Sequence, residues 1–230
     1  STVGKIPFAQ SFAAFASRRM CDQNYISCAY GQNNVKIVGT HSGISIGEDG
    51  PSQMSVEDIS LACSLPGFTV ISPADEVAAA ALVKVSAEVF GPMFIRTGRS
   101  KVPVIYAADQ KFEIGKAIEL IDGKDVTLIG TGLMVAECIR AAETLENEGV
   151  SARVIDIHTI KPIDRDAIAK AAKETGAIVV AEEHLVDGGL GVRVAQVVAE
   201  TNPAVMEFVG VQNTYAESAT PDQLLDKYGL

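Results

Sequence analysis

The amino-acid sequence predicts an α/β protein with two doubly wound domains, each built on a mainly parallel sheet. Two observations support this fold class. Short apolar runs that suit buried strands alternate with stretches of helical pattern, which is the arrangement of βαβ units. The chain has 230 residues, of which 47% are hydrophobic and 21% are charged, so it is long enough to bury two cores of moderate size.

The first domain is predicted to span residues 1–105 and to begin with a helix. The stretch Phe8–Ala16 is rich in alanine, and Phe12 and Phe15 are one helical turn apart, so this helix would carry an aromatic edge. Gly4 and Pro7, which precede this helix, are typical of a turn that follows another element, but no such element lies between Ser1 and the turn. We therefore interpret the chain as a fragment, and its first domain as incomplete at the N-terminus.

The remainder of the first domain alternates predicted strands with predicted helices. The strands are Val35–Gly39, Thr69–Ile71 and Met93–Arg96. The helices are Ser55–Leu65, for which Ser55 and Asp58 form a candidate capping box, and Asp75–Phe90, which Gly91 and Pro92 end. This alternation predicts a parallel sheet with helices on both faces.

A linker with some strand content is predicted at residues 106–122, and the second domain at residues 123–230. The predicted strands of the second domain are Val126–Ile129, Ala152–Ile157, Ala177–Ala181 and Val205–Val211. Its predicted helices end near Glu148, Thr175 and Thr201, and a short closing helix begins at Pro221. The second domain therefore has the same α/β character as the first.

The charge and the cysteine content exclude several classes of function. Nineteen basic and 29 acidic residues give a net charge of −10, which repels nucleic-acid phosphates and anionic membrane surfaces. No apolar run approaches the roughly 20 residues of a membrane helix, and no N-terminal signal segment is visible. The cysteines lack metal-site spacing and are interpreted as buried thiols in a reducing cytoplasm: Cys21, Cys28, Cys63 and Cys138. We expect no metal site in this chain.

Two glycine motifs suggest ligand contacts. Gly130 and Gly132 follow a strand, as in a dinucleotide fingerprint, but Val135 occupies the third glycine position, so a tight turn is favoured and no NAD site is predicted. The motif GGLG begins at Gly188, just before a predicted helix. Its backbone amides either hold an anion at the helix N-terminus or simply connect two elements, and the second interpretation is favoured.

The long loop Thr40–Met54 is the strongest local indication of function. It follows the carboxyl end of a strand, where ligands bind in open α/β sheets. His41 has an ordinary pKa near 6.5 and suits hydrogen bonding to a substrate hydroxyl or carbonyl. Asp49 suits acceptance from a sugar hydroxyl, although an aspartate that caps backbone amides in a turn is an equal alternative.

Two arginines, Arg96 and Arg99, lie at the end of a neighbouring strand and therefore at the same sheet edge. A guanidinium matches phosphate oxygens with two parallel donors. The structural alternative for each arginine is a surface ion pair with one of the many carboxylates. No Ser-His-Asp triad, pair of hydrolase carboxylates or metal cluster is visible.

The loop sequence THSGISIGEDGPSQM resembles the substrate loop of transketolases. It is similar to the animal type, which carries glutamine, here Gln53, where yeast and bacterial enzymes carry histidine. The resemblance continues through SPAD, FIRTGR and IHTIKPID to AESATP and LLDKYGL near the end of the chain. It covers essentially the whole chain and implies a pyrimidine-binding domain followed by the transketolase C-terminal domain.

The resemblance implies thiamine diphosphate as the cofactor. Phe12 and Phe15 would line the pocket for its aminopyrimidine ring, since aromatic faces stack on heteroaromatic rings, and Gln53 would lie near it. The family's catalytic glutamate is expected upstream of Ser1, so no catalytic residue is assigned within the chain. The diphosphate and Mg²⁺ are expected to be held by an N-terminal half or partner subunit.

The resemblance further implies the transfer of a two-carbon ketol unit between a ketose phosphate and an aldose phosphate. His41 and Asp49 would contact substrate hydroxyls, and Arg99 would bind the terminal phosphate. We expect the chain to form a homodimer, to be completed by an N-terminal partner and to be inactive without it.

Three alternatives share this architecture. They are the β subunit of a 2-oxoacid dehydrogenase, an enzyme similar to deoxyxylulose-phosphate synthase, and a non-catalytic assembly subunit. The segment GEDGPSQ, which starts at Gly47, favours transketolase over the other two enzymes.

Overall fold

The computed structural model describes residues 1–230 and contains two five-stranded sheets, which confirms the predicted fold class. The strands are β1 (Phe8–Phe12), β2 (Lys36–Thr40), β3 (Thr69–Ile71), β4 (Met93–Arg96), β5 (Ile118–Ile121), β6 (Val126–Gly130), β7 (Ala152–Asp156), β8 (Thr159–Lys161), β9 (Ala177–Leu185) and β10 (Val205–Val211). The helices are α1 (Cys21–Gln23), α2 (Asp58–Ser64), α3 (Glu76–Glu88), α4 (Met134–Asn147), α5 (Arg165–Thr175), α6 (Leu190–Glu200) and α7 (Pro221–Tyr228).

The first sheet has the strand order β1-β2-β4-β3-β8. Its first four strands are parallel, and all four residues of β4 are buried, as expected for a strand covered on both faces. Strand β8, which the sequence did not predict, pairs antiparallel with β3 although it comes from the second half of the chain. The two halves are therefore joined through a shared sheet as well as through side-chain packing.

The second sheet has the strand order β10-β9-β6-β7-β5. Strands β10, β9, β6 and β7 are parallel, and β5 pairs antiparallel with β7 at one edge. Strand β5 lies within the segment 106–122, where the sequence predicts a linker with some strand content. The largest apolar core contains Ile37 and Phe94 of the first sheet together with Ile155 and Val180 of the second.

The predicted helix over Phe8–Ala16 is wrong in its first half. Phe8–Phe12 forms strand β1, which pairs in parallel with β2 along its whole length. Helical structure begins at Ala13, and the residues from Phe15 to Arg19 form a π-helical segment. Pairing with a neighbouring strand outweighs the helix preference of alanine here, because propensity is weak compared with tertiary hydrogen bonding.

The capping box predicted for Ser55 and Asp58 does not form. Helix α2 begins at Asp58. Its N-cap residue is Glu57, and no side chain makes a capping hydrogen bond there. The Asp58 carboxylate instead accepts a hydrogen bond from Arg96 Nε at 2.9 Å, and both side chains are buried. A partner far away in sequence has therefore replaced the local cap.

All four cysteines are free thiols. Only Cys138 is buried, whereas Cys21, Cys28 and Cys63 are partly exposed, so the expectation of four buried thiols is wrong for three of them. These three lie on helical segments that cover the first sheet rather than on its central strands. No helix in the structure combines the length and the hydropathy that crossing a bilayer requires.

Candidate active site

A row of stacked rings lies at the carboxyl end of the first sheet. Phe12 is the last residue of β1 and pairs with Thr40, the last residue of β2, so His41 follows directly after this pair. The Phe12 and His41 ring centroids are 4.0 Å apart with an interplanar angle of 17°. Phe12 also stacks on Phe15, with centroids 5.8 Å apart and planes 8° from parallel. Arg19 lies 4.4 Å above the Phe15 ring and extends the row.

His41 adopts a left-handed backbone conformation with φ of 58°, which is uncommon outside glycine. Such strained positions persist only where the surroundings impose them, and they are frequent at functional sites. Its Nδ1 lies 2.9 Å from the Thr40 hydroxyl oxygen. Burial lowers the pKa of His41, the Arg99 charge lowers it further, and Asp49 partly opposes both. The imidazole is therefore neutral near pH 7, and it has a hydrogen-bond donor and an acceptor.

Asp49 and Arg99 form an open ion pair beside His41. Arg99 Nη1 lies 3.5 Å from Asp49 Oδ2, and the two side chains are 44% and 38% exposed respectively. The same Nη1 donates to the carbonyl oxygen of Ile46 at 2.8 Å. No protein atom bonds Nε or Nη2 of Arg99, so one edge of the guanidinium is available. Exposed pairs of this kind contribute little to stability, so they are free to exchange partners.

Gln53 lies on the same loop as His41 and Asp49. Its side-chain oxygen accepts a hydrogen bond from Ser52 Oγ, and its backbone N–H donates to Gly50 at 3.1 Å. The carbonyl oxygens of its two neighbours in sequence are held by Arg18, whose Nη2 lies 3.0 Å from Ser52 O and 3.3 Å from Met54 O. The proximity of Gln53 to a cofactor stays a prediction.

Sequence reasoning missed both arginines of the first helical segment. Arg19 is four residues after Phe15, a spacing that brings two side chains onto one helix face and was visible in the sequence. Arg18 also donates to Glu57 at 2.8 Å. Its contacts with the loop are distant in sequence, and no local pattern could have shown them.

The two glycine motifs and Arg96 are structural. Glu182 accepts hydrogen bonds from the backbone N–H groups of Leu190 and Gly191 at 2.6 and 2.8 Å, so the chain's own carboxylate occupies the N-terminus of α6. The favoured interpretation, in which the GGLG segment only connects two elements, is therefore incomplete, because its backbone amides bind a carboxylate of the chain itself. Arg96 forms an ion pair with Asp58, but the pair is buried and is not the surface pair that the structural alternative predicts. Gly130 is the last residue of β6, and Gly132 lies in the turn between β6 and α4 with a φ of 58°.

Two cavities lie near the loop. One of about 470 Å³ separates the two domains and is lined by Ser42, Arg96, Lys101 and Glu183, among others. The other, of about 570 Å³, is lined by Arg18, Pro51, Met54, Glu57 and Tyr215, among others. Neither cavity is lined by the stacked rings or by the Asp49–Arg99 pair, which lie on a more open part of the surface.

Two family models match the chain. The transketolase pyrimidine-binding domain matches residues 1–104, and the transketolase C-terminal domain matches residues 115–230. Together they account for almost the entire sequence.

Two curated relatives match along the full length of the chain. The 6-deoxy-6-sulfo-D-fructose transketolase subunit of a Clostridium species is 42% identical over 230 residues, which is 100% of this chain and 71% of the relative. The putative transketolase C-terminal section of Methanocaldococcus jannaschii is 40% identical over 234 residues and is covered to 73%.

Solved structures agree with these matches. A structure described as a split gene transketolase, inactive beta4 tetramer, superposes with a TM-score of 0.95 at 47% identity, over 100% of this chain and 74% of that one. The transketolase of Campylobacter jejuni superposes with a TM-score of 0.77 at 18% identity over 97% of this chain, and this likeness supports the fold alone.

Proposed function

Because the chain belongs to the transketolase family, we propose that it acts as one subunit of a thiamine-diphosphate-dependent enzyme that transfers a two-carbon ketol unit between phosphorylated sugars. The observation that carries this proposal is the meeting of His41, Asp49 and Arg99 next to the aromatic row at one sheet edge. Each of these side chains leaves hydrogen-bonding capacity for a ligand.

The residues present fit the ring of the proposed cofactor. Phe12 and Phe15 lie nearly parallel and are only partly buried, so their exposed edges are available to a heteroaromatic ring, although neighbouring side chains already cover ring faces. Gln53 stays in the proposal as a neighbour of the cofactor on the adjacent loop. When bound, thiamine diphosphate supplies a carbon nucleophile for the ketose carbonyl and a sink for the electron pair of the broken carbon–carbon bond.

The residues of the loop bind and orient the sugar in this proposal. The neutral imidazole of His41 exchanges hydrogen bonds with one substrate hydroxyl, and the Asp49 carboxylate accepts from another. The free edge of Arg99, formed by Nε and Nη2, matches two oxygens of a terminal phosphate. It suits a sulfonate equally well, and one relative is named for a sulfonated fructose.

We propose that the site is completed by a second, N-terminal subunit, which holds the diphosphate and Mg²⁺. The aromatic row is open on one side, and β1 forms the edge of its sheet with Phe8 41% exposed. Tyr25, Ile26 and Tyr30 on the adjoining helical segment are also exposed, and exposed apolar groups of this kind mark protein interfaces. The similar split gene structure is described as an inactive beta4 tetramer, which supports inactivity of this chain alone.

The proposal also includes self-association of the chain, as a dimer or a larger assembly of its own copies. A site between chains requires contact between them, and the similar split gene structure is described as a tetramer. We place this assembly in the cytoplasm, where phosphorylated sugars are metabolised.

Mixing experiments test the proposed function. The chain is combined with the N-terminal transketolase subunit of the same source, thiamine diphosphate and Mg²⁺, and offered a ketose phosphate with an aldose phosphate, or pyruvate. We expect ketol transfer only when both subunits are present, and no turnover of pyruvate. Turnover of pyruvate, or no transfer by a complex whose formation has been verified, would contradict the proposal.

A further inference from the structure

The loop Thr40–Met54, which we call the substrate loop, is held in place by contacts with the second domain. Glu183, near the carboxyl end of β9, is 2% exposed, and its Oε1 accepts a hydrogen bond from the backbone N–H of Ser45 at 2.5 Å. Ser45 lies in the loop midway between His41 and Asp49, four residues from each. A single buried carboxylate therefore contacts the backbone that connects both proposed ligand-binding side chains.

Gly43 allows this contact. A Cβ atom at Gly43 would lie 2.1 Å from the carboxyl carbon of Glu183, which is far closer than any real contact. Its φ of +79° is also a conformation that suits glycine. The loop therefore has no side chain at the one position where the carboxylate must approach it.

Apolar packing strengthens the same attachment. Ile44 and Ile46 of the loop are completely buried in a small core with Met54 of the loop and with Val211 and Leu224 of the second domain. Since Ile44 and Ile46 flank Ser45, the hydrogen bond to Glu183 lies between two buried anchors. The buried side of the loop faces the second domain, while Asp49 stays exposed.

Neighbouring charges keep Glu183 in place. The buried guanidinium of Arg96 donates to the Glu183 carbonyl oxygen at 2.8 Å and forms an ion pair with Asp58. Burial is the largest influence on the Glu183 carboxyl group. The Arg96 charge and the Ser45 N–H oppose it, and the combined effect raises the pKa of Glu183 to about 7. The adjacent residues on β9 contact other elements, since Glu182 caps α6 and His184 Nε2 accepts from Ser60 N of α2 at 3.5 Å.

From these contacts we infer that Glu183 is a positioning residue, through which the second domain sets the conformation of the loop that carries His41 and Asp49. The inference rests on the proposed function only for the ligand-binding role of that loop. The second domain, which supplies none of the predicted ligand contacts, then acts on substrate binding through one carboxylate and the apolar core beside it.

Kinetics of the complete two-subunit enzyme test the effect on substrate. In Glu183→Ala the loop loses its hydrogen bond to a buried carboxyl group, so the binding-competent conformation is populated less. The apparent KM for the ketose phosphate then rises in inverse proportion to that population, and we expect about a tenfold increase with kcat changed less than twofold. Glu183→Gln keeps an oxygen acceptor and should raise KM less than threefold.

Glu182→Gln is the matched control, because it removes a neighbouring buried carboxylate of the same strand that does not contact the loop. We expect its KM to stay within twofold of the wild-type value. Equal effects of Glu182→Gln and Glu183→Ala on KM, or a fall in kcat alone, would overturn the positioning role.

Hydrogen exchange of the 230-residue chain by itself gives a measurement that does not depend on enzyme activity. We expect the Ser45 amide to exchange at least about tenfold faster in Glu183→Ala and to be unchanged in Glu182→Gln. Unchanged protection of Ser45 in folded Glu183→Ala would overturn the inference. Failure of the proposed function would appear separately, as no ketol transfer by the wild-type assembly, and the exchange rate of Ser45 would still decide this inference.

Discussion

At the scale of single residues, we propose that the free edge of the Arg99 guanidinium determines which sugars the site prefers. Arg99 uses Nη1 for Asp49 and for the loop carbonyl oxygen of Ile46, so the charge is already oriented before a ligand binds. Preorganised donors cost less conformational entropy on binding than mobile ones do. The proposal therefore predicts selectivity for substrates with an anionic terminus.

We expect Arg99→Ala in the two-subunit enzyme to weaken transition-state binding of phosphorylated substrates by about 2–3 kcal/mol, measured as kcat/KM. Unphosphorylated substrates should lose much less, because they lack the group that the guanidinium binds. Arg140→Ala, which removes an exposed arginine paired with Glu137 on α4, is the control and should leave both substrate classes unaffected. Equal losses for the two classes would remove Arg99 from the phosphate site.

At the scale of secondary structure elements, the end of β9 connects three parts of the molecule. Its successive side chains accept hydrogen bonds from backbone N–H groups of α6, the loop Thr40–Met54 and α2, through Glu182, Glu183 and His184 respectively. All three side chains are buried. Burying an ionisable group is costly unless it is hydrogen-bonded, so each bond also stabilises the packing of the elements that it joins.

The contact between Gly43 and Glu183 should be visible in protein stability. We expect Gly43→Ala to lower the free energy of unfolding by about 2–4 kcal/mol, since it adds a steric clash to the cost of a left-handed alanine. In the Glu183→Ala background the clash is absent, and the cost should fall to about 1–2 kcal/mol. Urea denaturation of the four variants measures this difference.

The control for this cycle is Gly176→Ala. Gly176 ends α5 with a φ of +67°, and a Cβ atom at this position would meet no neighbouring atom within 4 Å, so the substitution carries the conformational cost alone. Its cost should be independent of residue 183. An equal penalty for Gly43→Ala with and without the Glu183 carboxylate would show that the two residues are not coupled.

Elements with local signals could be predicted from the sequence. Helix α5 begins after Asp164, whose side chain accepts a hydrogen bond from the backbone N–H of Ala167. Helix α7 begins after Thr220 with a complete capping box and a proline in its first turn. The extension of β9 beyond Ala181 and the existence of β8 could not be predicted. Both depend on pairing with strands that are distant in sequence, and the charged side chains at the end of β9 suggest a turn rather than a strand.

The candidate site was predictable to a different extent. His41, Asp49 and Arg99 were identified from loop position and family resemblance, and the structure brings them together. The hydrogen bond between their loop and Glu183 could not be predicted from the sequence, because the residues around Glu183 form no local pattern that indicates contact with a distant loop. Arg96 illustrates the converse, since its position suggested a ligand while its burial beside Asp58 gives it a structural role.

At the scale of the whole molecule, the region where the domains meet contains more buried carboxyl groups than buried cationic groups. Asp58, Glu182 and Glu183 surround the single guanidinium of Arg96, and Asp156 lies in a separate buried position where it accepts a hydrogen bond from Tyr106 at 2.6 Å. Burial raises the pKa of Glu182, of Glu183 and of Asp156 to about 7 in each case. The folded chain therefore holds protons that the unfolded chain releases at lower pH.

Stability should accordingly decrease as the pH rises. Unfolded glutamate and aspartate lose their protons near pH 4, whereas these folded groups keep them until about pH 7, so their contribution to stability is complete below pH 4 and is lost between about pH 4 and 7. We expect Asp156→Asn to reduce this slope, measured as the unfolding free energy at several pH values. The exposed control Asp109→Asn should leave it unchanged, and an identical slope in wild type and Asp156→Asn would contradict the assignment.

The most direct test of the proposed site is a crystal structure of the two-subunit assembly with thiamine diphosphate and a bound ketose phosphate. We expect the phosphate on Nε and Nη2 of Arg99, sugar hydroxyls on His41 and Asp49, and the aminopyrimidine ring against Phe12 and Phe15. A sugar phosphate bound instead in the cavity of about 470 Å³ between the domains, with Arg99 still paired only to Asp49, would contradict the assignment.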